Sequence, residues 1–226
     1  MPDPKTILDQ LTLASNSAAG VAMGWHVALV VAVVALGLGW RPSNRLAGVM
    51  LAAPIGSAAA VMFTFGNPFN GAVLGVLSLS LALLALRLEA RTASPAFTAA
   101  RPAGILMIVF GALYPHFLQR GAPLAYLYAA PTGLIPCPTL SLVIGFALLA
   151  GGLGSRAWSL VLASVGLFYG LFGVARLRVY LDIPLILGAA ALLTLAIRQR
   201  RLAMVPADAV RWVDHQAKAG TPEIHP

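Results

Sequence analysis

Seven apolar stretches, each close to the length of a membrane span, dominate this chain of 226 residues. A spanning α-helix needs about 20 mostly apolar residues, within a range of about 17 to 25. The stretches are residues 21–40, 46–63, 71–87, 102–119, 138–154, 157–175 and 179–197. Hydrophobic residues make up 59% of the chain and charged residues only 10%, a balance that no water-soluble globule of this size tolerates. The sequence therefore predicts an all-α polytopic membrane bundle of seven transmembrane helices.

The charges between these stretches predict their orientation. If the N-terminus lies outside, the inner side carries 11 Lys and Arg residues and the outer side carries 4. Basic loops are retained on the cytoplasmic side of a membrane, so we expect an external N-terminus and a cytoplasmic C-terminus. This distribution accounts for the net charge of +8 without nucleic acid. The expected surroundings are the lipid bilayer, and membrane-protein partners or a homo-oligomer stay open.

Three regions follow from this division of the chain. Residues 1–20 carry Asp3 as a candidate N-cap and an apolar face that includes Leu11, which predicts an amphipathic helix at the outer interface. Residues 21–197 form the seven-helix domain. Residues 198–226 form a basic cytoplasmic tail, whose first residues "RQRR" can contact anionic lipid.

Small residues recur inside the predicted spans. Gly71 and Gly75 stand four residues apart, as do Gly166 and Gly170, and a further glycine is Gly145. Such spacing lets helix backbones approach closely. We expect these glycines to pack helices within the bundle rather than to form a dimer interface.

Ionisable side chains are costly inside a membrane, so each one in a span is a candidate site residue. With the predicted orientation, they fall in the outer half of the bilayer or at its outer face, together with two tyrosines. We therefore predict one outward-facing polar pocket that binds a ligand. Its candidate residues are Cys137, His116, His26, Asp182, Arg120, Arg178, Tyr114 and Tyr169.

Each candidate also has a structural interpretation. His26 can bond to a backbone carbonyl on a neighbouring helix. Asp182 follows Arg178 by four residues, so the two can form an ion pair on one helix face, and this is the favoured interpretation. Tyrosines at this depth are typical of the aromatic belt of a membrane protein.

The single cysteine lies between two prolines in "LIPCPTL", residues 134–140. Pro138 suits the first helical position, which makes Cys137 the expected N-cap of the fifth span. A helix N-terminus stabilises a thiolate, so one interpretation is a reactive cysteine. The alternative is a cysteine that only packs, since free cysteine often behaves as a small hydrophobe.

Residues 113–149 resemble an uncharacterised family of bacterial multi-spanning membrane proteins. That family has a Tyr-Pro at the end of one span, a His-, Gly- and Pro-rich loop, and a Pro-Cys-Pro-Thr that opens the next span. The matching positions are Tyr114, Pro115, Pro136, Cys137, Pro138 and Thr139. Here His116 follows Tyr-Pro directly, whereas the family carries its histidine later in the loop. The resemblance implies a bacterial inner-membrane bundle and supplies no activity.

Three hypotheses of function remain open. In the first, the pocket binds a small ligand or a metal ion, for transport or as an accessory to a larger system. Candidate metals are copper(I) and zinc, for which His26, His116, Cys137 and Asp182 are suitable donors. In the second, the chain is a structural or assembly subunit of a membrane complex. In the third, it is an enzyme with Cys137 as nucleophile and His116 as base. Haem ligation by the two histidines is a weaker variant.

Several classes are excluded by the residues themselves. A retinal protein needs a bundle lysine, and no lysine lies between Lys5 and Lys218. The chain has no Walker A, HExxH or kinase signature, and "GGLG" at 151–154 is too short for a phosphate-binding loop. Asp182 is the one acid within a predicted span, which does not favour a proton pump built on a relay of carboxylates.

Overall fold

A computed structural model describes residues 3–92, 100–118 and 123–203 of the chain. This part of the chain is helical, and short 3₁₀ segments connect some of the helices. The α-helices are α1 (Pro4–Ser17), α2 (Ala19–Gly37), α3 (Asn44–Thr64), α4 (Pro68–Leu86), α5 (Ala100–Leu113), α6 (Tyr126–Ala129), α7 (Pro136–Leu149), α8 (Arg156–Ala175) and α9 (Ile183–Ala203).

Within these described ranges, five helices are long and apolar enough to cross a membrane: α2, α3, α4, α8 and α9, the last with the 3₁₀ turn before it. The predicted all-α membrane bundle is confirmed at this level. The other two predicted spans coincide with α5 and α7, which are apolar but have only 14 residues each. At 1.5 Å per residue, a helix of that length spans about 21 Å, less than the roughly 30 Å hydrocarbon core.

Six of the helices pair into three antiparallel hairpins, α3 with α4, α5 with α7, and α8 with α9. Glycines lie at each contact. A Cβ on Gly104 would come within 2.9 Å of the backbone oxygen of Gly145, and a Cβ on Gly166 would come within 3.1 Å of Ala189. A Cβ on Gly71 would meet the ring of Phe63. These glycines therefore pack helices within the bundle, as we expected.

Helix α7 lies at the centre and contacts α3, α5, α8 and α9. Most of its side chains are buried, including the polar Thr139 and Ser141. Both hydroxyls donate to carbonyl oxygens one turn earlier, Thr139 to Ile135 at 2.6 Å and Ser141 to Cys137 at 2.8 Å. The central helix thus satisfies its hydroxyls internally, as burial requires.

The helix start at the Pro-Cys-Pro element differs from the prediction. Helix α7 begins at Pro136 with Ile135 as N-cap, so Cys137 lies inside the first turn and the predicted Cys137 N-cap is wrong. Pro136 takes the first position and Pro138 the third. Both are accommodated because the N–H groups of a first turn have no intrahelical acceptor.

Helix α1 begins as predicted, because the Asp3 carboxylate caps it by accepting from the backbone N–H of Lys5 at 3.2 Å. Its apolar face does not lie only against lipid. Leu11, Ala14 and Ser15 are buried against the bundle. At the other end of the chain, α9 continues to Ala203, and the rest of the predicted basic tail lies outside the described residues.

Candidate functional site

The segment that enters α7 is buried although it is irregular. Every residue from Ala129 to Pro136 is buried. The Ser57 hydroxyl donates to the Gly133 carbonyl oxygen at 2.9 Å, and the Trp25 indole N–H donates to Ser57 at 2.9 Å. Irregular backbone at membrane depth is stable only where protein satisfies its polar groups. Side chains from α2 and α3 do so here.

Two threonines complete this support. Thr132 donates to the Gly111 carbonyl oxygen at 2.7 Å, and Thr139 accepts from the backbone N–H of Gly133 at 2.8 Å. Gly133 has φ +76°, and a Cβ there would overlap the Trp25 indole. The segment therefore fixes both the direction of α7 and the position of Cys137.

A carboxylate with two donors forms the centre of the candidate site. Asp182, in the 3₁₀ turn that precedes α9, is only 2% exposed. Its Oδ1 accepts from the Tyr114 hydroxyl at 2.7 Å, and its Oδ2 accepts from the Cys137 thiol at 3.2 Å. Three of the eight predicted site residues thus meet at one carboxylate, which joins the end of α5 and the starts of α7 and α9.

The predicted ion pair between Asp182 and Arg178 is wrong. Within the described residues the ion pair is Arg91–Glu89, at the exposed opposite end of the bundle. Arg178 is exposed and has φ +58°, and α9 begins only at Ile183. Because Arg178 precedes the helix, the i, i+4 geometry of a helix face does not apply to it.

Beside this carboxylate lies an amide that the sequence analysis missed. Asn70, in the first turn of α4, is buried and its Oδ1 accepts from the Tyr169 hydroxyl at 3.1 Å. The missed signal is the pair of amides in "GNPFNG", residues 66–71, because Asn67 caps α4 and Asn70 turns inward. Restricting the search to ionisable groups left out this neutral polar side chain.

A small cavity of about 20 Å³ separates the carboxylate from the amide. Its polar lining is Asn70, Cys137, Tyr169 and Asp182. A cavity of this size holds about one water molecule. Residues of α1, Ile7 and Leu11, together with Phe117, also line it. Most of Leu11 and Phe117 is withdrawn from solvent, so α1 closes the site on that side.

His26 lies elsewhere. Its Nε2 is 2.9 Å from the carbonyl oxygen of Ala112 in α5, and its Nδ1 is 2.9 Å from the carbonyl oxygen of Ala22 in its own helix. The alternative interpretation of His26, a bond to a carbonyl on a neighbouring helix, describes this geometry. With both ring nitrogens at carbonyl oxygens, His26 presents no free nitrogen for a metal or haem iron.

His116 is also outside the site. It follows the end of α5, is exposed, and its ring packs edge-on against Phe117 with centroids 4.2 Å apart. Arg120 lies outside the described residues.

This geometry does not assemble the predicted metal or enzyme sites. Among the described residues, no group of three or more His, Cys, Asp or Glu side chains lies close enough to hold a metal ion. The Cys137 thiol donates to a carboxylate, and a thiolate there would place two negative charges side by side. The arrangement is suited instead to binding a positively charged species at Asp182.

Comparison of the chain with protein-family models, with curated proteins and with solved structures finds no match.

Proposed function

We propose that this chain is a multi-pass membrane protein that binds a small cation, a proton or a monovalent metal ion, at Asp182, for passage through the bundle. The observation that carries the proposal is the Asp182 carboxylate, 2% exposed and, among the residues that the structure describes, hydrogen-bonded only by neutral donors. Both oxygens accept, which is the pattern of an ionised carboxylate. A buried charge of this kind is costly unless a cation pairs with it.

The surroundings of Asp182 limit which cation can bind there. A carboxylate oxygen has more acceptor capacity than one hydrogen bond uses, and Asn70 adds an amide oxygen at the same cavity. Oxygen donors favour hard cations over copper or zinc. The cavity of about 20 Å³ admits a guest no larger than one water molecule.

The proposal includes the predicted topology: seven spans in a bacterial inner membrane, with an external N-terminus. The positions of the polar and basic residues at the helix ends support it. The site residues lie at the helix ends predicted to be outside, whereas the exposed side chains of Arg41, Arg87, Arg101 and Arg156 lie at the opposite ends. Helices α5 and α7 cross as a pair, with the buried 129–135 segment completing the path of α7.

Cation-dependent stability tests the binding step. Purified protein is melted in NaCl, KCl, LiCl and choline chloride at equal ionic strength, and over a range of pH. A bound cation at 100 times its Kd stabilises the folded state by about 2.7 kcal/mol, so one small cation or protons should raise the melting temperature over choline. Asp182→Asn should abolish this dependence.

Asp9→Asn is the matched control, because Asp9 is an exposed acid on α1. It should keep the wild-type response. Identical melting in every salt and at every pH, or a response that survives Asp182→Asn, would exclude cation binding at this site. Flux of the stabilising cation into proteoliposomes, with the same two variants, then tests passage through the bundle.

Accessibility of single cysteines tests the topology. In a Cys137→Ala background, Arg178→Cys should react with a membrane-impermeant maleimide added outside intact cells. Arg91→Cys should react only after the membrane is opened. The reverse pattern would refute the external N-terminus, and labelling of both from outside would refute an odd number of spans between them.

A further inference from the structure

A long apolar groove runs along α2 and reaches the end of the bundle opposite Asp182. Its volume is about 480 Å³, within the range of ligand-binding sites. The described lining residues are apolar apart from two arginines and come from α2 and the turn after it, α3, the start of α5, and α7. Representative positions are Trp25, Ala32, Trp40, Met50, Leu51 and Phe146.

The groove exists because α2 leaves the bundle. Within α2 only Ala22 and His26 are buried, and the Trp25–Ser57 hydrogen bond fastens the same end. Beyond that point no residue of α2 is buried, and α3 and α7 face the helix across the groove. The cleft opens sideways, where Met50 on its wall is 44% exposed. In a membrane this opening faces the acyl chains of the bilayer.

Both charged residues of the groove lie at its end near the termini of α2 and α5. They are Arg41 and Arg101, both exposed, and none of the acidic residues in the described part of the chain lines the groove. Arg41 donates through one guanidinium nitrogen to the carbonyl oxygens of Leu36 and Trp40, at 2.8 and 3.0 Å. A guanidinium has five N–H donors, so both arginines retain donors for an anion.

The dimensions match a lipid of one leaflet. From Trp25 to Leu36 the lining follows α2 over about 17 Å at 1.5 Å per residue, more than half of the roughly 30 Å hydrocarbon core. An acyl chain that enters from the arginine end therefore fits along the groove. Charge complementarity at the mouth requires a negative headgroup.

We propose that this groove binds one anionic phospholipid, with an acyl chain against α2, α3 and α7 and its phosphate at Arg41 and Arg101. The site is separate from the cation site at Asp182 and does not depend on it. If bulk lipid filled the cleft without specific binding, neutral and anionic lipids would occupy it equally. The two arginines make it selective.

Tryptophan fluorescence measures this selectivity directly. Trp25 and Trp40 line the groove, whereas Trp158 is fully buried elsewhere and serves as an internal reference. Trp212, the fourth tryptophan, lies outside the described residues and is replaced by phenylalanine (Trp212→Phe). This protein is placed in phosphatidylcholine vesicles that contain a small fraction of brominated phosphatidylglycerol or, in parallel, of brominated phosphatidylcholine. Brominated phosphatidylglycerol should quench at several-fold lower content than brominated phosphatidylcholine.

Charge variants assign the selectivity to the mouth of the groove. Arg41→Gln and Arg101→Gln should each reduce the preference for phosphatidylglycerol by about fivefold, the size of the effect of one basic side chain near an anionic membrane surface. Arg87→Gln and Arg156→Gln are matched controls, because both residues are exposed and neither lines the groove. These controls should keep the preference.

Variants that fill the groove distinguish the contribution of acyl-chain insertion from that of the arginine charges. Ala32→Phe and Ala47→Phe place bulk inside the lining without changing charge, so quenching by both lipids should fall. Equal quenching by both lipids in the starting protein, or an equal loss in the control arginine variants, would overturn the proposal. So would quenching by neither lipid, since no acyl chain then reaches Trp25 or Trp40. Quenching that rises only after removal of residues 204–226 would also overturn it, because the tail would then be the occupant.

Discussion

The Tyr114 hydroxyl donates to Oδ1 of Asp182 across 2.7 Å, and this bond joins two residues that lie 68 positions apart in the chain. It ties the end of α5 to the turn that precedes α9. Both side chains are withdrawn from solvent, Tyr114 fully and Asp182 to 2% exposure. The bond therefore orients the candidate cation ligand and links two helical hairpins.

Removing the Tyr114 hydroxyl should destabilise the fold. Tyr114→Phe leaves Oδ1 without its donor, and an unsatisfied buried acceptor costs about 1–3 kcal/mol. The loss is measured as the change in the free energy of unfolding in detergent micelles. In a double-mutant cycle with Asp182→Ala, the two changes should deviate from additivity by about 0.5–3 kcal/mol.

Tyr126→Phe is the control for this prediction. The Tyr126 hydroxyl reaches the Leu118 carbonyl oxygen only at 3.5 Å, so its loss should change stability by no more than about 0.5 kcal/mol. Strict additivity of Tyr114→Phe and Asp182→Ala would mean that the two residues do not interact in solution.

Gly173→Ala should disturb the carboxylate directly. A Cβ at this position of α8 would overlap Oδ2 of Asp182, so the carboxylate or the helix must shift. Overpacking of this kind costs about 1–3 kcal/mol. We expect a lower melting temperature and a weaker response to the stabilising cation. Gly24→Ala on α2, where a Cβ meets nothing within 4 Å, should be neutral or stabilising.

Gly133→Ala should lower the free energy of unfolding by more than the left-handed backbone alone explains. Gly133 has φ +76° and its Cβ would overlap Trp25, whereas Gly66 has φ +74° with nothing within 4 Å of a Cβ. Gly66→Ala therefore reports the cost of the left-handed backbone alone, about 1–2 kcal/mol. The additional loss of stability in Gly133→Ala measures the contact with Trp25. Equal losses in both variants would rule out that contact.

Helix α1 should control access to Cys137. Leu11 is 6% exposed and lines the cavity, whereas Leu13 is 56% exposed on the other side of the same helix. Leu11→Ala should speed the reaction of Cys137 with a small maleimide, because truncation opens the apolar cover of the site. Leu13→Ala should leave the labelling rate unchanged. If both variants label at the wild-type rate, α1 does not close the cavity.

Much of the helical architecture was predictable, because its signals are local. Apolar runs gave all seven helix positions, and Asp3 with Pro4 marked the start of α1. The predicted start of α7 at Pro-Cys-Pro was wrong by two positions. Both prolines fit a first turn, and the sequence does not say at which of them the helix begins. Gly104 and Gly145 illustrate why small residues in spans predict close packing but not which helices meet.

The candidate site was only partly predictable, and its residues show why. Because ionisable groups are costly in a membrane, every one in a span is a candidate. This rule identified Asp182, Cys137, Tyr114 and Tyr169, but it also selected His26. Which of these meet depends on how α5, α7 and α9 pack, and Arg178 was misassigned because the helix face assumed for it does not exist.

By itself, the sequence determined that this protein is a helical membrane bundle, because the cost of exposing apolar side chains to water and polar backbone to lipid leaves no other arrangement for such runs. The tertiary structure alone decided that Asp182 accepts from Tyr114 and Cys137 rather than pairing with Arg178. Hydropathy acts on each segment separately, whereas a hydrogen bond between distant helices depends on the angle and register at which their surfaces pack.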